Sequence, residues 1–276
     1  MTEPFKFCIL FGDAPDRPPA EIAPGWEMAE IPVSLQVKPF ESEANWAQHR
    51  TEIASWSLLP PIKVSSHFLQ FWGLTPVGPG VDWEQLAFWT KRAFDRLSKL
   101  GVEAVGVYGS FFKVPDGFSR TKEMDQAVRF VNMMADHAEE HGMLIALEPT
   151  ADPASLWPMY LDGLAFAKKE IGRPSVRVMA DLAYFIRGNQ PLETIAQEPD
   201  YCLHVHIAGD GGQPGVGDRV DLHTQLFRVL RDIGYERGVS AACAWVSTEG
   251  GELNFAKETA KSLRYLKGLR DKVYAE

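Results

Sequence analysis

The sequence predicts a single closed (β/α)₈ barrel that uses residues 1–276 as one domain. Three observations carry that expectation. Short apolar runs alternate with amphipathic helical stretches over a length close to the ~250 residues such a barrel takes. The runs are continuously apolar, as strands covered on both faces must be. The competing open, doubly wound sheet lacks its glycine-rich GxGxxG turn after the first run, and no linker or composition shift marks a domain boundary.

The elements follow in order. The first strand is 5–12 and the second 26–33, with a helix-like stretch at 44–57 and a third strand at 62–68. Residues 82–100 read as a helix capped by Asp82, with Leu86, Trp89, Ala93, Phe94 and Leu97 on one face and Gly101 as its stop. A fourth strand at 102–108 precedes a long helix at 121–141, ended by Gly142. The fifth strand is 144–148, followed by a helix at 154–171 closed by Gly172. The sixth strand is 176–181, with a short helix near 192–197, and the seventh is 201–207. A helix at 221–233, the eighth strand at 239–245 and a closing helix at 253–273 complete the pattern. The proline- and glycine-rich pieces 13–24 and 73–80 fall after strands one and three, where a barrel builds its active-site loops.

Composition narrows the partners. Lys and Arg number 28 against 37 Asp and Glu, a formal charge of −9. That balance argues against nucleic acid, whose phosphates need clustered cations. No run reaches the ~18 uninterrupted apolar residues of a membrane span. The start has no basic region before its apolar run and no small-residue cleavage site, so it reads as a strand rather than a signal peptide. Three distant cysteines, Cys8, Cys202 and Cys243, form no disulfide framework and fit a reducing cytoplasm. The 8 Trp and 16 Phe serve either a walled cavity or a heavily packed core.

Polar residues interrupt the apolar runs at the strand ends, which in a barrel face the site mouth. These are Glu30 on strand two, His67 on three, Glu148 on five, Asp181 on six, His204 and His206 on seven and Cys243 on eight. Glu148, Asp181 and His206 come from consecutive strands and form a donor set suited to Mn²⁺, Mg²⁺, Co²⁺, Fe²⁺ or Zn²⁺. Each also has a plainer role open to it. Glu148 can be a solvated strand end. Asp181 can cap the helix after it or pair with Arg187. His204 and His206 share a face, with His206 the better ligand and His204 the supporting residue. His67 suits substrate as well as metal. His49, His137, His141 and His223 lie on helices and read as solvated. Trp72, Tyr108, Phe111, Phe112, Trp157, Tyr184 and Trp245 fall at or just after strand ends, as stacking walls for a sugar or as packing beneath the loops.

The segments LIALEPT, VMADLAYF, HVHIAG, PGVGDRVD and IGYERGVSAAC resemble the xylose-isomerase-like barrel superfamily, most strongly over 144–243. That group includes sugar phosphate isomerases and epimerases, ketose 3-epimerases, hydroxypyruvate isomerase, inosose dehydratase and endonuclease IV. The resemblance implies one divalent metal (Mn, Mg, Co or Zn) held by Glu148, Asp181 and His206. It also implies proton abstraction next to a carbonyl, with Glu148 as ligand and base. Several positions depart from the family. Cys243 stands where the fourth ligand, a glutamate, is usual, and three roles are open to it: thiolate ligand, thiol acid/base, or small buried residue. Tyr184 replaces a frequent histidine, and 209–213 lacks the arginine often found there, while Arg187 and Arg219 remain within possible reach. The further histidines of endonuclease IV are missing. The implied activity is isomerisation or epimerisation of a sugar or related polyol, with Glu30, His67, Tyr108, Tyr184 and Trp245 as substrate contacts. An inosose-dehydratase-like lyase and a non-catalytic sugar-binding barrel with a decayed metal site are the alternatives, and a homo-oligomer is open to it.

Overall fold

Eight parallel strands close on themselves in chain order: β1 (Lys6–Leu10), β2 (Met28–Pro32), β3 (Ile62–Ser66), β4 (Ala104–Tyr108), β5 (Leu144–Glu148), β6 (Val176–Asp181), β7 (Cys202–Ile207) and β8 (Gly238–Ala241). β8 returns to β1 with Cys8 opposite Ser240, so the sheet has no open edge. The computed structural model describes residues 4–11, 22–56 and 59–276. Gly12, Ser57 and most of the proline-rich loop 13–24 lie outside the described residues.

The helices are α1 (Glu43–Ser55), α2 (Trp83–Ser98), α3 (Arg120–Glu140), α4 (Tyr160–Ala165, followed by a π-helical stretch over Phe166–Ile171), α5 (Leu182–Arg187), α6 (Val220–Asp232) and α7 (Phe255–Tyr274). α2 shows how sequence makes them. The Asp82 carboxylate accepts from the Gln85 N–H at 2.9 Å, satisfying one orphan donor of the first turn. Leu86, Ala93, Phe94 and Leu97 are then fully buried against the barrel, with Trp89 half-buried beside them. No helix among the described residues is long and apolar enough to cross a membrane.

Alternation along the strands sets the site. Ile145, Leu147, Val178, Ala180, Val205, Ile207, Val239 and Ala241 belong to the large apolar layer outside the barrel. Their neighbours in sequence therefore point inward. Val64, Ala104, Ala146, Met179 and Leu203 form a second, smaller apolar cluster. Above this floor the inward positions turn polar, at Glu30, Glu148, Asp181, His204 and His206.

Three elements differ from the sequence reading. The helix expected from residue 154 begins at Tyr160, because 154–156 are tied to the preceding loop: Val114 donates to the Ala154 carbonyl at 3.0 Å and Leu156 to that of Phe112 at 2.9 Å. Pro158 also disfavours helical backbone at Trp157. The helix that Asp181 caps is α5, which starts at Leu182 directly after β6 as a separate element, and 192–197 are 3₁₀-helical. β8 stops at Ala241, four residues short of its expected end, and only the Ala242 N–H extends the ladder, to the Ile207 carbonyl at 3.1 Å.

Candidate metal centre and active site at the strand ends

The inward residues at the C-terminal ends of β5, β6 and β7 meet. Glu148, Asp181 and His206 each present a ligand atom, all within 4.8 Å of one another. His206 Nδ1 lies 3.4 Å from Asp181 Oδ2 and 4.0 Å from Glu148 Oε1. The β6–β7 register places Asp181 opposite His206, so the sheet itself fixes this pair. Glu148 Oε2 is buried and has no hydrogen-bond partner among the described residues.

Burial pushes the Glu148 carboxyl up to about 8; His206 opposes the shift, while the charges of Asp181 and Glu30 add to it. Burial opposes charge on His206 too, but the Glu30 carboxylate, with Asp181 and Glu148, outweighs it and holds the imidazole well above its usual range. A small cation fits here by the chemistry of the donors. Two carboxylates and one imidazole nitrogen converge, one buried carboxylate oxygen lacks a partner, and a divalent charge relieves the crowding of negative groups.

Of the plainer roles open to Asp181 in the sequence, the structure shows the helix cap. Its Oδ1 accepts from the Ala183 N–H at 2.7 Å and starts α5, leaving Oδ2 for the cluster. It does not need Arg187, whose guanidinium lies over the Tyr184 ring at 5.2 Å. Arg219 pairs with Asp210 at 3.1 Å.

Glu30 departs from its expected place at the substrate. It is 0% exposed, and its two oxygens accept from the Nε2 atoms of both His204 and His206. His204 is 1% exposed, and its Nε2 is committed to Glu30. Of the three roles open to Cys243, ligation finds no support, and the side chain is partly buried against the core. It lies two residues past the end of β8 and belongs to neither of the two groups of metal-capable side chains among the described residues, Glu148–Asp181–His206 and Glu30–His204–His206. Strand alternation explains this: Ser240 faces inward, opposite Cys8 in the β1–β8 register, so the next inward place is Ala242, which offers no donor atom.

Tyr108 sits opposite Glu148 in the β4–β5 register, and its hydroxyl is 2.8 Å from that of Tyr184. Burial, the Tyr108 hydroxyl and the Glu148 charge all push the Tyr184 phenol upward, so Tyr184 stays protonated. Both rings are half-buried. His67 follows β3 directly and adopts a left-handed backbone, φ 57°. Trp245 is 7% exposed, edge-on to Trp26 and Phe255, and its indole N–H has no partner among the described residues.

Packing claims much of the remaining aromatic set. Phe112 and Trp157 are fully buried with ring centroids 4.5 Å apart, and Trp72 packs between Phe68 and Trp89. Gly109, between Tyr108 and this core, admits no side chain. A Cβ there would come 2.6 Å from the Glu148 carbonyl and 2.9 Å from Trp157 Nε1.

The helical histidines are not simply solvated. His49 and His141 are half-buried and paired with Glu52 and Asp95. His137 is half-buried beside the Phe94 ring. His223 is fully buried, bridging the Tyr265 hydroxyl at 2.8 Å and the Ala208 carbonyl at 3.0 Å, just beyond β7. A second brace was also not visible in the sequence. The Gln213 amide bonds to both backbone groups of Val246 and to Glu258, clipping the loop after β7 to the loop after β8 and to α7.

Comparison with known proteins agrees with this architecture. Residues 49–269 match the family described as xylose isomerase-like TIM barrel. No curated protein sequence matches the chain. Among solved structures, a xylose isomerase domain protein from Alicyclobacillus acidocaldarius is 16% identical, with a TM-score of 0.72 over 98% of this chain and 99% of that one. A D-allulose 3-epimerase from Methylomonas sp., solved with D-allulose, is 18% identical with a TM-score of 0.70, covering 96% and 97%. An IOLI protein solved with a zinc atom is 15% identical with a TM-score of 0.65, covering 98% of each. At these identities the likeness is one of fold.

Proposed function

The chain belongs to the xylose isomerase-like TIM barrel family, and from that footing we propose that it is a divalent-metal-dependent isomerase or epimerase of a sugar or related polyol. The observation that carries this reading is the meeting of Glu148, Asp181 and His206 within 4.8 Å. Those three residues would hold the metal. When bound, it supplies Lewis-acid polarisation of a substrate carbonyl and its neighbouring hydroxyl. The zinc in the IOLI protein and the D-allulose in the Methylomonas enzyme support a metal and a sugar here.

The chain's own residues supply the rest. Glu148 takes the proton from the carbon beside the carbonyl, and its unpartnered Oε2 is the atom left for that task. The Tyr108 and Tyr184 hydroxyls share one proton between them and keep a second for an oxygen on which charge develops. The Trp245 indole N–H and His67 contribute further donors, and the half-buried rings exclude water from the reacting carbons.

Ala242, at the next inward place just past β8, favours chemistry with one carboxylate base rather than two facing ones. Same-face proton transfer meets that condition, and so does loss of a hydroxyl from the adjacent carbon, the dehydratase reading. Incubation of the Mn²⁺-loaded protein in D₂O with a panel of ketoses and inososes tests the proposal. Deuterium incorporation at the carbon next to the carbonyl is the expected result. Exchange with rearrangement marks an isomerase or epimerase, and exchange with loss of water marks the lyase. A protein that binds metal and sugar but exchanges no proton is a binding barrel, and the proposal fails.

A further inference from the structure

Glu30 rises from β2 on the far side of the barrel and is 0% exposed, yet among the described residues its carboxylate bonds to no backbone group. Its Oε1 lies 3.0 Å from His206 Nε2, and its Oε2 lies 3.2 Å from the same nitrogen and 2.9 Å from His204 Nε2. The two rings stand at 86° with centroids 5.2 Å apart, so each aims one nitrogen at the same carboxylate.

An ionised carboxylate only accepts, so both Nε2 atoms facing it must carry hydrogen. For His206 that choice has a consequence at the other side of the ring. Nδ1 becomes the nitrogen that faces Asp181 at 3.4 Å and Glu148 at 4.0 Å, and in the neutral ring it is the one with a lone pair. An imidazole free to turn about χ2 could present either nitrogen. Glu30 removes that freedom.

His204 secures Glu30 in turn. Its ring lies against Gly238, where a Cβ would stand 3.2 Å from Cε1 and 3.3 Å from Nδ1, so the absence of a side chain there leaves the ring its place. Beyond His204 is a cavity of ≈ 370 Å³ at the N-terminal mouth, also lined by Lys63, Arg237 and Gly238. His204 thus separates Glu30 from that opening while supplying its second hydrogen bond.

We propose that Glu30 is a positioning residue that fixes the hydrogen of His206 on Nε2 and so presents Nδ1 to the metal, with His204 as the clamp that holds Glu30. This inference rests on the metal-site reading above. Two measurements test it, neither of them activity. The first is the ¹H–¹⁵N correlation spectrum of the His206 ring in the full-length wild-type protein loaded with diamagnetic Zn²⁺. A proton on Nε2 with Nδ1 bonded to zinc is expected; a proton on Nδ1 with Nε2 on the metal overturns the proposal, whatever any variant does.

The second is Zn²⁺ affinity by chelator competition for Glu30→Gln and His204→Phe. A glutamine carries no charge and puts a donating NH₂ in place of one of the two accepting oxygens, so the bonds of Oε1 to His206 at 3.0 Å and of Oε2 to His204 at 2.9 Å cannot both be kept. Glu30→Gln is expected to weaken Zn²⁺ binding 10–100-fold, the usual effect of losing such a support. His204→Phe, which leaves the Glu30–His206 contact in place, is expected to cost less. Glu30→Gln that folds and binds Zn²⁺ as tightly as wild type overturns the positioning role alone. Wild type that takes up no Zn²⁺ removes the metal reading, and this inference with it.

Discussion

Asp181 divides its oxygens between two tasks: Oδ1 accepts from the Ala183 N–H at 2.7 Å and Oδ2 lies 3.4 Å from His206 Nδ1. One side chain therefore starts α5 and faces His206 in the proposed metal site. Two substitutions separate the tasks. Asp181→Asn keeps a good cap and is expected to leave thermal stability nearly unchanged while lowering metal affinity by more than about 100-fold, beyond the usual cost of losing a supporting residue. Asp181→Ala should lose affinity equally and add about 1 kcal/mol of destabilisation from the missing cap. Calorimetric unfolding and metal titration of both variants check the split; equal metal affinity in wild type and Asp181→Asn contradicts it.

Glu148 is buried beside Asp181 and Glu30, and burial with those charges pushes its carboxyl up to about 8. Glu148→Gln removes one of three clustered acids without changing volume. The proton-exchange rate is expected to fall by at least about 10²–10⁴, the usual worth of a positioned base. The variant without added metal should be no less stable than wild type. Exchange at the wild-type rate would exclude Glu148 as the base.

Gly109 stands where a Cβ would meet the Glu148 carbonyl at 2.6 Å. Gly109→Ala is therefore expected to cost roughly 1–3 kcal/mol, as overpacking does, and to move the end of β5 that carries Glu148. Turnover should fall in the folded variant. A Gly109→Ala protein with wild-type melting temperature and activity would show that β4 and β5 yield there at no cost.

Burial lowers the His223 imidazole to about 4, with the Ala208 carbonyl opposing the shift. The folded state keeps this residue neutral while the unfolded chain protonates it near pH 6.5. Stability should thus be full above pH 6.5 and decline as pH falls toward 4, by roughly 3 kcal/mol from this group. Urea midpoints measured across that range in wild type and in His223→Gln check the assignment. The variant should lose this part of the slope; an unchanged slope assigns it elsewhere.

The sequence carried the barrel and the three cluster residues because both are written locally. Glu148 and Asp181 each end a continuously apolar strand, and β5 and β6 have the bounds expected of them. Alternation in HVHIAG places His204 and His206 on one face. Glu30 was visible as a polar break in β2, but its partners are 174 and 176 residues away, across the barrel, where no periodicity reaches. Cys243 was misplaced for a local reason: VSAACAW is apolar enough to read as strand to its end, whereas the ladder stops at Ala241 and the inward position falls on Ala242. Tyr108 and Tyr184 stand half-buried at the site while Phe112 and Trp157 are packed away. Ring count cannot separate these fates, since a wall and a core use the same side chains.

The most direct test is a crystal structure of the protein equilibrated with saturating Mn²⁺, with anomalous scattering used to find the ion. A single strong peak within bonding distance of Glu148, Asp181 and His206 Nδ1 is the predicted result. No peak among these three residues, or a peak on His206 Nε2 in place of Glu30, would contradict the account.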